Sequence, residues 1–90
     1  MEFSQEPGRI WAEDQDGKLL AEILFPSREG KASITRTFVD DSLRGQGVAG
    51  QLMEAAVEKL RADNMEVRPI CSYAKTWFEK HPEEADLLKK

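Results

Sequence analysis

The stretch of this chain best suited to chemistry is Arg44, Gly45, Gln46, Gly47, Val48, Ala49 and Gly50. It follows a β-type segment ending at Val39 and a turn at Asp40-Asp41-Ser42, and it runs directly into the most periodic apolar stretch of the sequence. Gly45 and Gly47 put no side chain in the way of the backbone, and Arg44 stands just ahead of them. A strand, a glycine-rich turn and a helix N-terminus together make an anion site. The amides of the first helical turn lack partners, and the helix dipole favours negative charge there. The guest this predicts is a phosphate or pyrophosphate.

Phosphate loops differ in what surrounds them. Gly45-Gln46-Gly47-Val48-Ala49-Gly50 fits the spacing G-x-G-x-x-G. As a dinucleotide fingerprint that spacing requires an open parallel sheet with two mononucleotide halves, for which 90 residues leave no room. A Walker A loop ends in Gly-Lys-Ser/Thr, whereas Gly50 is followed by Gln51 and Leu52.

Strands precede the loop, and helices and a further strand follow it. Residues 1–7 are polar and read as loose. Residues 9–13 alternate as a strand, Asp16-Gly17 is a two-residue hairpin signal, and residues 18–25 form the return strand, ended by Pro26. Residues 27–30 read as a turn and residues 31–39 as a third strand. There Ala32, Ile34, Arg36 and Phe38 would share one face and Ser33, Thr35, Thr37 and Val39 the other. Both faces are mixed, so the pattern does not say which is covered. A helix is predicted over residues 46–62, with Val48, Ala49, Leu52, Met53, Ala56, Val57 and Leu60 forming its buried stripe and Asp63-Asn64 its stop. Residues 66–71 read as a fourth strand, parallel to the third because a helix connects the two. Residues 73–80 and 83–88 read as short helices, separated by His81-Pro82.

The expected architecture is therefore a small α/β (α+β) domain over residues 1–90. It has a mixed, mostly antiparallel four-stranded sheet, one long crossover helix and two short C-terminal helices. Net charge −4 and the absence of a basic run argue against nucleic acid as a partner. An acidic surface would tolerate or attract a cationic amine. No apolar run approaches a membrane span, and the first residues lack the features of a signal peptide. A cytoplasmic location is expected. Cys71 is the single cysteine, so an intramolecular disulfide is excluded and, with a single histidine, no metal site is expected.

Arg44-Gly45-Gln46-Gly47-Val48-Ala49 resembles Arg/Gln-x-x-Gly-x-Gly/Ala, the acyl-CoA pyrophosphate loop of the GNAT superfamily of N-acetyltransferases. The stretch from Thr37 to Leu88 resembles its small YjdJ-like branch through Leu43 to Ala49, Pro69-Ile70-Cys71-Ser72-Tyr73, Lys80-His81-Pro82-Glu83 and Asp86-Leu87. The resemblance implies the acyl-CoA N-acyltransferase-like fold, with acetyl-CoA as cofactor and transfer of an acetyl group to a small-molecule or protein amine. It implies that the amides of Gly45, Gln46, Gly47, Val48 and Ala49, with Arg44 and Gly50, hold the pyrophosphate. It also implies that the third and fourth strands splay, so that the pantetheine arm bonds the Phe38 and Val39 backbone like an added strand. Pro69, which cannot donate a ladder bond, either helps open that splay or marks a sheet edge.

The catalytic correspondence is partial. Where the superfamily often has an Asn that contacts the cofactor, this chain has Cys71. Where it often has a proton-donating Tyr, this chain has Phe78, which carries no proton to give. The YjdJ-like branch resembles this chain at Cys71, which the resemblance places near the thioester. There the thiol would accept the acetyl group, act as acid to the CoA thiolate, or simply fill a strand end. Tyr73 is the other candidate acid or cofactor contact. The branch usually has His-Thr where this chain has Arg36-Thr37. Arginine cannot act as a base; it would orient a carboxylate on the acceptor or join a surface salt bridge. The expected function is acetyl-CoA-dependent N-acetylation by a monomer or weak homodimer. The alternative is a non-catalytic CoA or acyl-CoA binding module.

Overall fold

The computed structural model describes residues 2–89. Its strands are β1 (Ser4–Glu6), β2 (Arg9–Glu13), β3 (Leu19–Leu24), β4 (Ser27–Arg28), β5 (Lys31–Ile34), β6 (Arg36–Val39) and β7 (Glu66–Pro69). Its helices are α1 (Val48–Ala62) and α2 (Ser72–Lys80), with 3-10 turns at Asp41–Leu43 and Pro82–Lys89. The expected mixed, mostly antiparallel sheet with a crossover helix is present. It is divided into an antiparallel sheet ordered β1-β2-β3-β6 and a smaller one ordered β4-β5-β7, in which β5 and β7 run parallel.

Four sequence expectations change in detail. The polar start is not loose where it is described: Ser4, Gln5 and Glu6 pair with Trp11, Ile10 and Arg9 across a turn at Pro7-Gly8. The first hairpin loop is longer than two residues, because Gly17 donates to the Asp14 carbonyl and Asp14 to the Lys18 carbonyl. The long helix begins at Val48, with Gly47 as its N-cap, rather than at Gln46. The last helix is a 3-10 helix.

The consequential difference lies in the third strand. Thr35 donates its N–H to the Leu24 carbonyl at 3.0 Å, yet Leu24 is also paired with Arg36. Two residues thus face one, which is a β-bulge: it bends the strand and interrupts the side-chain alternation. Before the bulge Ala32 and Ile34 are fully buried. After it Thr37 meets Cys71 and Val39 packs against the core, so these two continue the covered face. Arg36 and Phe38 turn to the opposite face, where the Arg36 guanidinium lies 5.2 Å from the Phe38 ring centroid. The expected grouping of Ala32, Ile34, Arg36 and Phe38 on one face is therefore corrected. A single inserted residue exchanges the faces of everything beyond it.

The core lies between α1 and the sheets. Val48, Leu52, Met53, Ala56, Val57 and Leu60 are the buried positions of α1, and they join Ile10, Ala21, Ile23, Phe25, Ile34 and Val67 in one cluster. Their spacing is that of one helical stripe, so α1 lies along the sheet with its glycine-rich end beside β6. Asn64, at φ 56, reverses the chain after α1, a conformation asparagine tolerates better than most residues.

Candidate functional site

The loop between β6 and α1 is shaped by its glycines. Gly45 and Gly47 have φ of 83° and 71°, the left-handed region that glycine enters without strain. A Cβ added at either would meet nothing within 4 Å, so each faces open space. The Asp41–Leu43 turn fixes the loop's entry. Asp40 caps it by accepting from the Ser42 hydroxyl at 2.7 Å and the Ser42 amide at 3.1 Å. Those bonds, hydroxyl first, with help from Lys18, hold the Asp40 carboxyl below its ordinary 3.8.

The amides of Arg44 and Gln46 are spent on the carbonyls of Asp41 and Leu43. Those of Gly45, Gly47, Val48, Ala49 and Gly50 have no partner among the described residues. The last three belong to the uncapped first turn of α1, a helix of 15 residues. Five free donors around a helix N-terminus suit an anion with several oxygens. The group expected from the sequence, a pyrophosphate, fits this concavity. Gln46, expected to contribute its amide, has only its exposed side chain left to offer. The Arg44 guanidinium bonds Asp41 at 2.7 Å, and with both side chains more than four-fifths exposed the pair is weak and free to exchange.

A cleft of about 250 Å³ opens here, lined by Val39, Leu43, the loop glycines and Tyr73 among others. A second, of about 250 Å³, continues between α1 and α2 past Glu54, Trp77, Lys80 and His81, and Gly50 and Tyr73 line both. The phenol oxygen would lie 3.9 Å from a Cβ on Gly50, so the ring rests against α1 where a glycine leaves room. Burial first, and the Glu54 charge second, raise the phenol above its ordinary 10.0. Tyr73 is therefore protonated, and a proton donor, throughout the neutral range.

This phenol can be tested directly, because Tyr73 is the only tyrosine. Absorbance at 295 nm should show tyrosinate forming with a midpoint above 10. Glu54→Gln should move the midpoint down but not to the free value, since burial remains. A folded-state proton held more tightly than in the unfolded chain gives stability that is present below the unfolded value. It is lost as pH rises from there through the folded one. A midpoint at or below 10 in the folded protein would refute the environment described.

The β6 edge completes the site. The Asp40 N–H bond to the Leu20 carbonyl at 2.7 Å sets the ladder alternation with β3. Arg36 and Phe38 then occupy bonded positions, while Thr37 and Val39 turn their N–H and C=O groups away from β3. On that side β7 has ended. Its parallel pairing with β5 stops at Ile34 and Pro69, and the Ile34 carbonyl collects the N–H groups of both Ile70 and Cys71, each at 3.0 Å. The strands diverge from this vertex, and the bulge directs β6 away from β7. Pro69 plays no part in the divergence. Glu66 and Ile70 donate to β5, so by alternation the missing donor of Pro69 faces the outer edge of β7.

Of the residues singled out in the sequence, the structure brings together Val39, Arg44, Gly45, Gly47, Val48, Ala49, Gly50 and Tyr73 around the first cleft. Cys71 lies at the vertex, half-buried, with its Sγ 3.6 Å from the Thr37 Oγ1. Phe38 is not brought in: its backbone is engaged with Glu22 and its ring is on the opposite face. Thr37 was missed, because the bulge that aims it at Cys71 has no sequence signal. His81 stacks on Trp77 at 3.9 Å and donates Nδ1–H to the Trp77 carbonyl at 2.7 Å, which fixes it against α2. Phe78 is buried edge-on to Trp77. Arg36 forms a salt bridge with Glu22 at 3.2 Å. Among the described residues no group of three or more metal-ligating side chains occurs, and no helix there is long and apolar enough to cross a membrane.

Known proteins share this fold. The NMR structure of a GCN5-like protein from Staphylococcus aureus is 33% identical over 96% of this chain and 85% of that one, with a TM-score of 0.80. The crystal structure of the GNAT family N-acetyltransferase YhbS from Escherichia coli, in complex with CoA, matches 66% of this chain and 37% of its own length at 23% identity, TM-score 0.57. Ard1 from Thermoplasma volcanium matches 82% of this chain and 53% of its own at 24% identity, TM-score 0.63. The last two likenesses are of fold. No match was found among curated proteins. The profile of the GCN5-related N-acetyl-transferase family covers residues 9–87, and the chain belongs to that family.

Proposed function

We propose that this protein transfers an acetyl group from acetyl-CoA to an amine. One observation carries the reading: five unpartnered amides at the head of α1 open onto a cleft that leads past Val39 to Tyr73, beside an unpaired strand edge. Gly45, Gly47, Val48, Ala49 and Gly50 would hold the pyrophosphate, with Arg44 released from Asp41 to assist. The outward N–H and C=O of Val39 and Thr37 would bond the amides of the pantetheine arm as a strand does. The cofactor supplies an activated acyl group as a thioester. The amine nitrogen forms a bond to the carbonyl carbon as the carbon–sulfur bond breaks. Tyr73 would give the departing sulfur its proton, and the proton shed by the attacking nitrogen would return through solvent to restore the phenol. Cys71 lies beside Thr37 at the vertex and lines neither cleft; its thiol as acetyl acceptor is the variant mechanism.

A titration with acetyl-CoA and CoA, followed by amide NMR, tests the reading. Shifts centred on residues 44–50 and on Cys71 are expected. A folded protein that ignores millimolar cofactor would overturn it. Tyr73→Phe should lower kcat by about 10²-fold, the lower end of the range for a general acid, with cofactor affinity unchanged. Cys71→Ala separates the mechanisms: loss of all turnover and of a cofactor-derived mass increase of one acetyl group would favour the acetyl-enzyme route.

A non-catalytic CoA-binding module is the second reading, favoured by the burial of Phe78, which gives no proton. It requires tight CoA binding with no CoA release on any amine. The same proposal includes one domain over residues 1–90, a cytoplasmic location, and a monomer or weak homodimer without nucleic-acid or membrane partners. Placement in the YjdJ-like branch rests on the sequence resemblance.

A further inference from the structure

The face of the antiparallel sheet opposite α1 carries a charge arrangement that the acetyl-transfer site does not use. Glu22 is only 8% exposed at its centre. It is paired across the ladder with Trp11 on β2 and Phe38 on β6. Its two oxygens are taken by two arginines: Arg9 Nε at 2.7 Å and Arg36 Nε at 3.2 Å. Each guanidinium also lies over a ring, Arg9 at 4.0 Å from the Trp11 centroid and Arg36 at 5.2 Å from that of Phe38. Glu6 approaches Arg9 at 3.9 Å and partly neutralises it. Two glutamates thus balance two arginines, and the more exposed guanidinium, with its side chain 52% exposed against 31% for Arg9, is that of Arg36. Its Nη groups have no partner among the described residues.

Glu22 orients both arginines by the Nε edge. A guanidinium held at Nε presents its Nη pair outward in the fork that matches a carboxylate. Burying a glutamate between two arginines adds little to stability compared with an apolar cluster, but it fixes that fork. The fork stands one residue, or about 3.8 Å of chain, from Thr37, whose side chain reaches Cys71 at the vertex from the other face.

We propose that Arg36, positioned by Glu22 and Phe38, binds the carboxylate of the acceptor, and that the acceptor is a small primary amine carrying a carboxylate, of the amino-acid class. The inference rests on the acetyl-transfer reading. On that reading the cofactor fills the α1 side of the splay, from the loop through Val39 to Tyr73. The amine must then approach the carbonyl from the opposite face, past Arg36. The cluster is balanced in charge, so the selectivity is local: the exposed Nη fork of Arg36 offers a carboxylate two donors and an ammonium group none.

The test uses L-phenylalanine, L-phenylalaninamide and phenethylamine, which share an aromatic amine and differ at the carboxylate. In NMR titrations of the cofactor-free protein, L-phenylalanine should shift the Arg36 Nε–H and the Phe38 and Glu22 amides, and the other two should not. In turnover, Arg36→Gln should raise KM for L-phenylalanine about tenfold or more. It should leave KM for acetyl-CoA and for phenethylamine unchanged, and Arg36→Lys should recover part of the loss. Equal shifts from L-phenylalanine and its amide, or equal KM changes for acid and amine, would overturn the proposal. Carboxylate-dependent shifts in a protein that binds no CoA would uphold this anion site while removing the acetyl-transfer reading. CoA binding without them would do the reverse.

Discussion

Gly47→Glu is expected to weaken CoA binding by about 10³-fold while leaving a folded protein. The backbone at Gly47 has φ 71°, and a Cβ there projects into the open space in front of the α1 amides. A side chain at such a φ costs about 1–2 kcal/mol, which a domain of this size can absorb. The binding loss has a separate origin. The new side chain occupies the anion's space, and its carboxylate competes for the same amides and repels phosphate. Losing two charge-assisted hydrogen bonds at about 1.5–3 kcal/mol each accounts for roughly 10²- to 10⁴-fold. Gly47→Asn is the control for strain, since asparagine accepts the left-handed conformation. It should melt close to the unmodified protein and lose less affinity than the glutamate variant. Calorimetric titration with CoA measures both. Unchanged affinity in Gly47→Glu would place the pyrophosphate elsewhere.

Leu52→Ala is expected to be the most damaging single truncation in α1. Leu52 is fully buried, one turn into the helix and in the cluster shared with the sheet. Removing its side chain gives up transfer energy and leaves a cavity, together about 3–5 kcal/mol. At 0.05–0.15 kcal/mol per residue, the whole chain has only about 5–13 kcal/mol to lose. At about 4–8 °C per kcal/mol for a domain of this size, Tm should fall by roughly 12–40 °C. Calorimetry or circular dichroism would check it. Because Leu52 lies one turn beyond the free amides, the variant should also bind CoA less well near its lowered Tm and almost normally well below it. A Tm within a few degrees of the unmodified protein would mean that α1 does not rest on the sheet at this position.

The expected anion loop and the helix behind it were legible along the chain itself. Those depend on local rules: glycines at positive φ, an uncapped first turn, and an apolar stripe at helical spacing from Val48 to Leu60. The family resemblance had the same source, because its motif is this contiguous loop and the Cys71-to-Tyr73 segment. The parallel relation of the strands before and after α1 was likewise legible, since a crossover helix enforces it.

The outcome on β6 came from pairing between distant residues. The bulge at Thr35 and Arg36 depends on how Leu24 is shared across the ladder, and neither residue type signals it. That one extra residue placed Thr37 and Val39 on the covered side and sent Arg36 and Phe38 to the other. Val39 therefore lines the cleft while Phe38 does not, and Thr37, unremarkable in the sequence, meets Cys71. The direction of the missing Pro69 donor was equally beyond the sequence, because strand alternation can be assigned only once a partner is known. Local conformation follows from neighbours along the chain; which side of a strand faces the site follows from pairings between residues far apart in it.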